Sequence, residues 1–243
     1  MSKYLIDIIQ SIRIRICKLK RKQNSFAYLI SRHQWSKVLE RTRKQPNLAK
    51  KKIGKHDDYP LHYTVKSGSV TLEVVKQLLH AYPKAIFHVE EQSQRTLLHL
   101  AALYDTPYDS LAHICQAVPV SVTKQDRYGR LPIHYAAYRG NILATKLFLL
   151  TDERCGLVQD NEGFLPHHVA AKHSLDTYHA LESLSPTGLT YPDHLGRTPK
   201  DVVNHYHSRL LALSKRLSPS FHKPPPIIPH AVSPQPQHSI ISI

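Results

Sequence analysis

The chain has 243 residues, 41% of them hydrophobic, and 33 Lys and Arg against 18 Asp and Glu, for a net charge of +15. That apolar share suits a folded protein, and no apolar run reaches the length of a membrane-spanning helix. The three cysteines, Cys17, Cys115 and Cys155, lack CxxC spacing, which argues against a secreted disulfide framework and for an intracellular setting, cytoplasmic or nuclear.

The charge is unevenly placed. Residues 1–55 hold 16 Lys and Arg against 2 Asp and Glu, whereas residues 56–243 hold 17 against 16. Any sequence-independent attraction to an acidic membrane or a nucleic acid therefore belongs to residues 1–55. Within residues 1–24, Leu5, Ile8, Ile9, Ile12, Ile16 and Leu19 share one helical face, with Arg13 and Lys20 on the others. This basic amphipathic segment reads first as a helix packed on the next element, or as a frayed arm. A membrane-surface or calmodulin-type target helix is the sharper alternative. The alternation from Ile12 to Ile16 also permits a strand. Asp7 interrupts the apolar run and disfavours a secretory signal; abundant Lys and scarce Ser disfavour a transit peptide.

From residue 25, Phe26, Leu29 and Ile30 form one short apolar face and Trp35, Val38 and Leu39 another, until Pro46 stops the second. This reads as an N-terminal cap over 25–55, with Arg41, Arg43 and Lys44 on its outer side. Lys50, Lys51, Lys52 and Lys55 extend the positive patch. A solvated face is favoured over a nucleic-acid patch, because no aromatic stack accompanies the charges.

A tetrapeptide then recurs: YPLH at 59–62, TLLH at 96–99, LPIH at 131–134, LPHH at 165–168 and TPKD at 198–201. Its last residues, His62, His99, His134, His168 and Asp201, step by 37, 35, 34 and 33 positions. Five matches at near-constant spacing form a specific signal. Over roughly residues 26–210 the chain resembles the ankyrin-repeat family, with its T-P-L-H-x-A core. The Leu-Leu-x-Ala-Tyr-Pro-x-Ala phrasing at 78–85 is similar to ankyrin arrays of diatoms and related algae. The resemblance implies an all-α fold, an ankyrin-repeat α-solenoid of stacked helix-turn-helix units with short hairpin loops. Repeats are expected at about 56–92, 93–127, 128–161 and 162–194, with a C-terminal cap at 195–216. The array domain would then be 25–216.

The residues account for the pattern physically. Pro132 suits the first turn of a helix, where its missing N–H costs nothing. Thr198 can cap a helix directly; Leu131 and Leu165 cannot. Ala136 and Ala137 let helices approach closely, and Gly140 permits the left-handed turn that ends the first helix. The second helices are expected to bury stripes such as Leu72, Val75, Leu78 and Leu79, or Leu143, Leu147 and Leu150. In the second repeat Asp105-Thr106-Pro107 replaces the loop glycine. The fourth carries His173-Ser174 in place of Gly-Asn, and Pro186 is expected to truncate its second helix. Residues 217–243 are rich in proline, which blocks helix and sheet, so extended or disordered chain is expected.

Eighteen histidines invite a metal reading. Four of them belong to the repeat signature, and the ankyrin resemblance implies that these bond neighbouring loop backbone. His167-His168 and His205-x-His207 lack the further ligands of a zinc site. No HExxH, P-loop, GxGxxG or GxSxG motif occurs. Cys115 and Cys155 fall at apolar helical positions, where an inert buried thiol is the default. No catalytic, cofactor-binding or metal-binding residue is expected.

Partners of ankyrin arrays meet the hairpin tips and the inner helix face. Carried onto this chain, the resemblance makes Arg95, Tyr104, Arg127, Tyr128, Arg130, Tyr138, Arg139 and Phe164 the candidate partner-binding residues. His56, Asp58, Ser93, Leu103, Glu162, Lys172 and His173 stand beside them. Tyr and Arg are enriched at interface hot spots. The expected function is a non-enzymatic scaffold or adaptor, monomeric, that binds another protein. The alternative is a membrane-surface or nucleic-acid-associated protein that uses its basic N-terminal segment and keeps the repeats as a spacer.

Overall fold

The computed structural model describes residues 25–53, 58–206 and 208. Residues 1–24, His56 and the tail 217–243 lie outside them. Among the described residues the fold is an all-α solenoid of stacked helix-turn-helix units, and the only β pairing is an isolated bridge between Ile53 and Asp58.

The helices come in pairs: α1 (Phe26–Ser31) with α2 (Trp35–Lys44), α3 (Pro60–Val65) with α4 (Leu72–Ala81), and α5 (Leu97–Leu103) with α6 (Tyr108–Ala117). They continue with α7 (Pro132–Arg139) and α8 (Ile142–Thr151), then α9 (Pro166–His173) and α10 (Leu175–Leu184). Residues 199–206 form one more helix. Each first helix packs on the first helices of its neighbours, and each second helix on the second helices, giving two layers. One pair alone could not bury its apolar stripe; stacking does.

The register of that burial is the same in every complete repeat. The third, fourth and seventh residues of each second helix are buried: Val74, Val75 and Leu78 in α4; Ser110, Leu111 and Ile114 in α6; Ala144, Thr145 and Phe148 in α8; Thr177, Tyr178 and Leu181 in α10. The Leu143, Leu147, Leu150 stripe is therefore overturned: Leu143 is 58% and Leu150 83% exposed, and Leu147 only partly buried. The segment ILATKLFLLT is apolar nearly all round, so several stripes fit it. The choice falls to the face whose small Ala144 and Thr145 let the neighbouring helices close in. For α4 the sequence named the right side, with Leu72 and Leu79 at its half-buried rim.

Pro186 does not truncate α10, which has the same 10 residues as α4, α6 and α8. It opens a 3₁₀ turn, Pro186–Thr190, just as Pro46, Pro83 and Pro119 do after α2, α4 and α6. Proline cannot continue a helix but can begin one. Gly140 ends α7 at φ 71°, and Asp105 takes the same left-handed role after α5 at φ 53°, a conformation that Asp tolerates better than most side chains. Cys115 and Cys155 are buried free thiols, and burial pushes Cys155 up to about 12. That leaves its sulfur protonated and unreactive at neutral pH.

Candidate partner-binding face

The first helices and the hairpin tips share one face, and a histidine in each repeat fixes its backbone. His134 Nδ1 accepts from the Leu131 N–H at 3.0 Å, so its Nε2 carries the proton and donates to the Phe164 carbonyl at 3.0 Å. His99 does the same between Thr96 and the Arg130 carbonyl, and His168 between Leu165 and the Arg197 carbonyl, with Nε2–O distances of 2.9 Å. The histidine thus plays the N3 part of a capping box, accepting from the N–H of the N-cap residue itself, a bond that leucine at the N-cap does not prevent. His62 donates to the His88 carbonyl at 3.1 Å, while its Nδ1 is buried without a partner. Burial holds His62, His99 and His134 neutral, with each pKa lowered to about 4. In the fifth repeat Asp201 accepts from the Thr198 N–H at 2.9 Å. It caps its own helix and makes no bond to a further hairpin among the described residues.

The hairpins leading into the third, fourth and fifth repeats are each closed by an aspartate. Asp126 Oδ1 accepts from the N–H groups of Tyr128 and Arg130, Asp160 Oδ1 from Glu162 and Phe164, and Asp193 Oδ1 from Leu195 and Arg197. Gly129 turns the third tip at φ 73°, and a Cβ there would lie 2.8 Å from the Asn161 backbone nitrogen. The tips are also tied to one another: the Arg127 N–H donates to Ser93 and the Asn161 N–H to the Tyr128 carbonyl. The result is a row of loops whose backbone has little freedom.

The candidate residues divide into two groups on this frame. Arg95 and Arg130 are drawn into the framework. Arg95 Nε and Nη2 donate to the Tyr135 hydroxyl at 3.1 and 3.0 Å, and that hydroxyl donates to Asp126 Oδ2 at 2.6 Å. Burial and Asp126 push Tyr135 up to about 12. Arg130 Nε donates to Asp160 Oδ2 at 3.0 Å, with Glu162 at 3.6 Å. Each arginine thus links its own repeat to the next, and both guanidinium groups also lie against the Tyr128 ring. Arg127 reaches back to the Gln92 carbonyl at 3.2 Å. Tyr104, Tyr128 and Tyr138 stand 41%, 49% and 49% exposed. Arg139 is exposed and Phe164 half-buried.

Tyr138 and Phe164 belong to a groove of about 450 Å³ that runs from the end of the second repeat's first helix to the fifth repeat. Leu103, Val169, Val202 and Tyr206 complete its apolar walls, and Arg130, Glu162, Lys172 and Arg197 supply its charges. His173 packs edge-on to Tyr138 at 4.6 Å, and burial with the nearby Lys172 holds its pKa below the usual imidazole value. Tyr128 and Tyr104 line a second, more polar groove that runs over the first two repeats to the start of the third, together with Lys66, Glu90 and Arg95. The sequence reading passed over Asp126, Asp160, Asp193 and Tyr135. The signal for the aspartates was present: each stands eight residues before its repeat landmark, at His134, His168 and Asp201. For Tyr135 no sequence signal exists, since its partners lie 40 residues back at Arg95 and 9 back at Asp126.

Among the described residues no group of three or more His, Cys, Asp or Glu could hold a metal ion, and no helix is long and apolar enough to cross a membrane. No protein-family model matches the chain. It is similar to inversin from Canis lupus familiaris, 30% identical over 145 residues, which is 57% of this chain and 13% of that protein. Human inversin is 29% identical over 145 residues, with the same coverage. Tyrosine-protein kinase Shark from Drosophila melanogaster is 33% identical over 126 residues, 48% of this chain and 13% of the kinase. The similarity thus covers about half of this chain and 13% of the length of each relative.

Proposed function

We propose that the chain is a non-enzymatic protein-interaction scaffold or adaptor, monomeric and intracellular, that binds a partner across its first helices and hairpin tips. One observation carries this reading: three half-exposed tyrosines, Tyr104, Tyr128 and Tyr138, stand along a face whose backbone is held by buried His–carbonyl bonds. Exposed tyrosines on a rigid support suit interface anchors, and a support already ordered loses little entropy on binding. Arg127, Arg139 and Phe164 are the accompanying contacts, whereas Arg95 and Arg130 act mainly by holding successive repeats together.

The test is capture of a partner by the full chain from a cell extract. Tyr128→Ala combined with Tyr138→Ala is expected to weaken capture by about tenfold or more, the effect of losing one aromatic anchor or several lesser contacts. Capture that survives this double variant and vanishes on removal of residues 1–24 would refute the reading. It would favour the basic N-terminal segment as the contact for a membrane or nucleic acid, with salt sensitivity to match.

A further inference from the structure

We infer that the groove lined by Tyr138 and Phe164 takes an extended peptide segment that sets an acidic side chain beside an apolar or aromatic one. The inference rests on the interaction reading above and specifies the partner's chemistry. The groove volume of about 450 Å³ falls within the range of built ligand sites. Its apolar lining comes from Tyr138, Phe164, Val169 and Tyr206, side chains that would cover an inserted aliphatic or aromatic anchor.

The charges decide what accompanies that anchor. Three cations line the groove, Arg130, Lys172 and Arg197, against one carboxylate, Glu162. Arg130 is engaged by Asp160 at 3.0 Å and Arg197 by Asp193 at 2.7 Å. Lys172 makes no ion pair among the described residues; its Nζ lies 5.8 Å from the Tyr206 ring centroid. The groove therefore presents one ammonium with no carboxylate bonded to it beside its apolar wall, while Asp160 and Glu162 both face Arg130. A peptide carboxylate entering there gains the one lining cation that no carboxylate already engages; because Lys172 is exposed, that contact supplies selectivity and encounter rate more than raw affinity. A polyphosphate backbone fits poorly. It needs a run of free cations, and here Glu162, Asp160 and Asp193 stand among or behind the arginines.

The experiment selects a random peptide display library on the full chain, followed by fluorescence anisotropy with the enriched peptides. Enriched sequences should carry Asp or Glu adjacent to Leu, Phe, Tyr or Trp. Lys172→Glu should weaken their binding by about tenfold or more, and Tyr138→Ala likewise. Lys172 and Tyr138 are exposed, so both variants should keep the fold. Replacing Lys50, Lys51 and Lys52 with Ser should leave binding unchanged, which separates the groove from the basic N-terminal end. The proposal is overturned by failure to enrich any peptide, by enriched peptides without acidic residues, by binding insensitive to Lys172→Glu, or by binding lost in the triple Ser variant. If Tyr138→Ala still reduces capture of the cellular partner while Lys172→Glu does not, only the acidic-peptide assignment falls. If neither affects capture, the interaction reading falls with it at this groove.

Discussion

Replacing His134 with Ala removes two bonds at the middle of the stack. The Leu131 N–H loses its acceptor at 3.0 Å, and the Phe164 carbonyl loses its donor at 3.0 Å. Both groups lie where the histidine is 1% exposed, so water does not readily replace it. Leaving a buried polar group unpaired costs about 1–3 kcal/mol, and the vacated imidazole volume adds a further cavity cost. The expected loss is about 3–5 kcal/mol, a large share of the stability of an ordinary domain. The matched control is Asp201→Ala. Asp201 occupies the same place in the fifth repeat but is exposed and bonds only within its own helix start, through Thr198. Loss of such an exposed capping contact costs much less than loss of a buried one, because water replaces it. Urea unfolding followed by far-ultraviolet circular dichroism measures both. If His134→Ala costs no more than Asp201→Ala, the histidine does not couple neighbouring repeats and the account of the rigid face fails.

Two further outcomes follow from burial. His62, His99 and His134 have folded-state pKa values of about 4, below the usual 6.5 or so of imidazole. Between those values the unfolded chain binds more protons than the folded one, so stability is fully present above about pH 6.5 and is lost as pH falls through 4. Each histidine accounts for about 3 kcal/mol of that loss; a melting temperature that stays flat from pH 7.5 to 4.5 would contradict it. On α8, Phe148→Ala should cost about 3–5 kcal/mol, and Leu150→Ser should fall within about 0.5 kcal/mol of the parent, because Phe148 is fully buried and Leu150 is 83% exposed. Equal losses for the two in thermal or urea unfolding would put the register of that helix in error.

The repeat landmarks were legible because they report local chemistry. Pro132 and Pro166 at helix starts, Gly140 after a helix end, and His134 three residues from its N-cap act through neighbours in sequence, so their spacing repeats wherever the structure does. The buried stripe was legible in α4, where LEVVKQLLHA has polar residues to contrast with apolar ones, and illegible in α8, where nearly every residue is apolar. Pro186 misled for the opposite reason. Its rule is local and correct, but its place relative to the helix end is set by the repeat, in which a 10-residue second helix is followed by a proline-led turn.

The candidate face shows the same division. That Tyr104, Tyr128 and Tyr138 stand on the hairpin and first-helix side follows from their phase within the repeat. That Arg95 and Arg130 are spent on Asp126 and Asp160 does not, since each pair joins residues about 30 positions apart. By itself the sequence determined that helical pairs form and that they must stack, because turn chemistry and apolar period act over a few residues. Only the stacked structure decided which side of each helix is buried, which arginines are committed, and that Lys172 is left without a carboxylate beside an apolar groove. Those outcomes depend on how closely successive repeats approach, a distance set by side chains a full repeat apart.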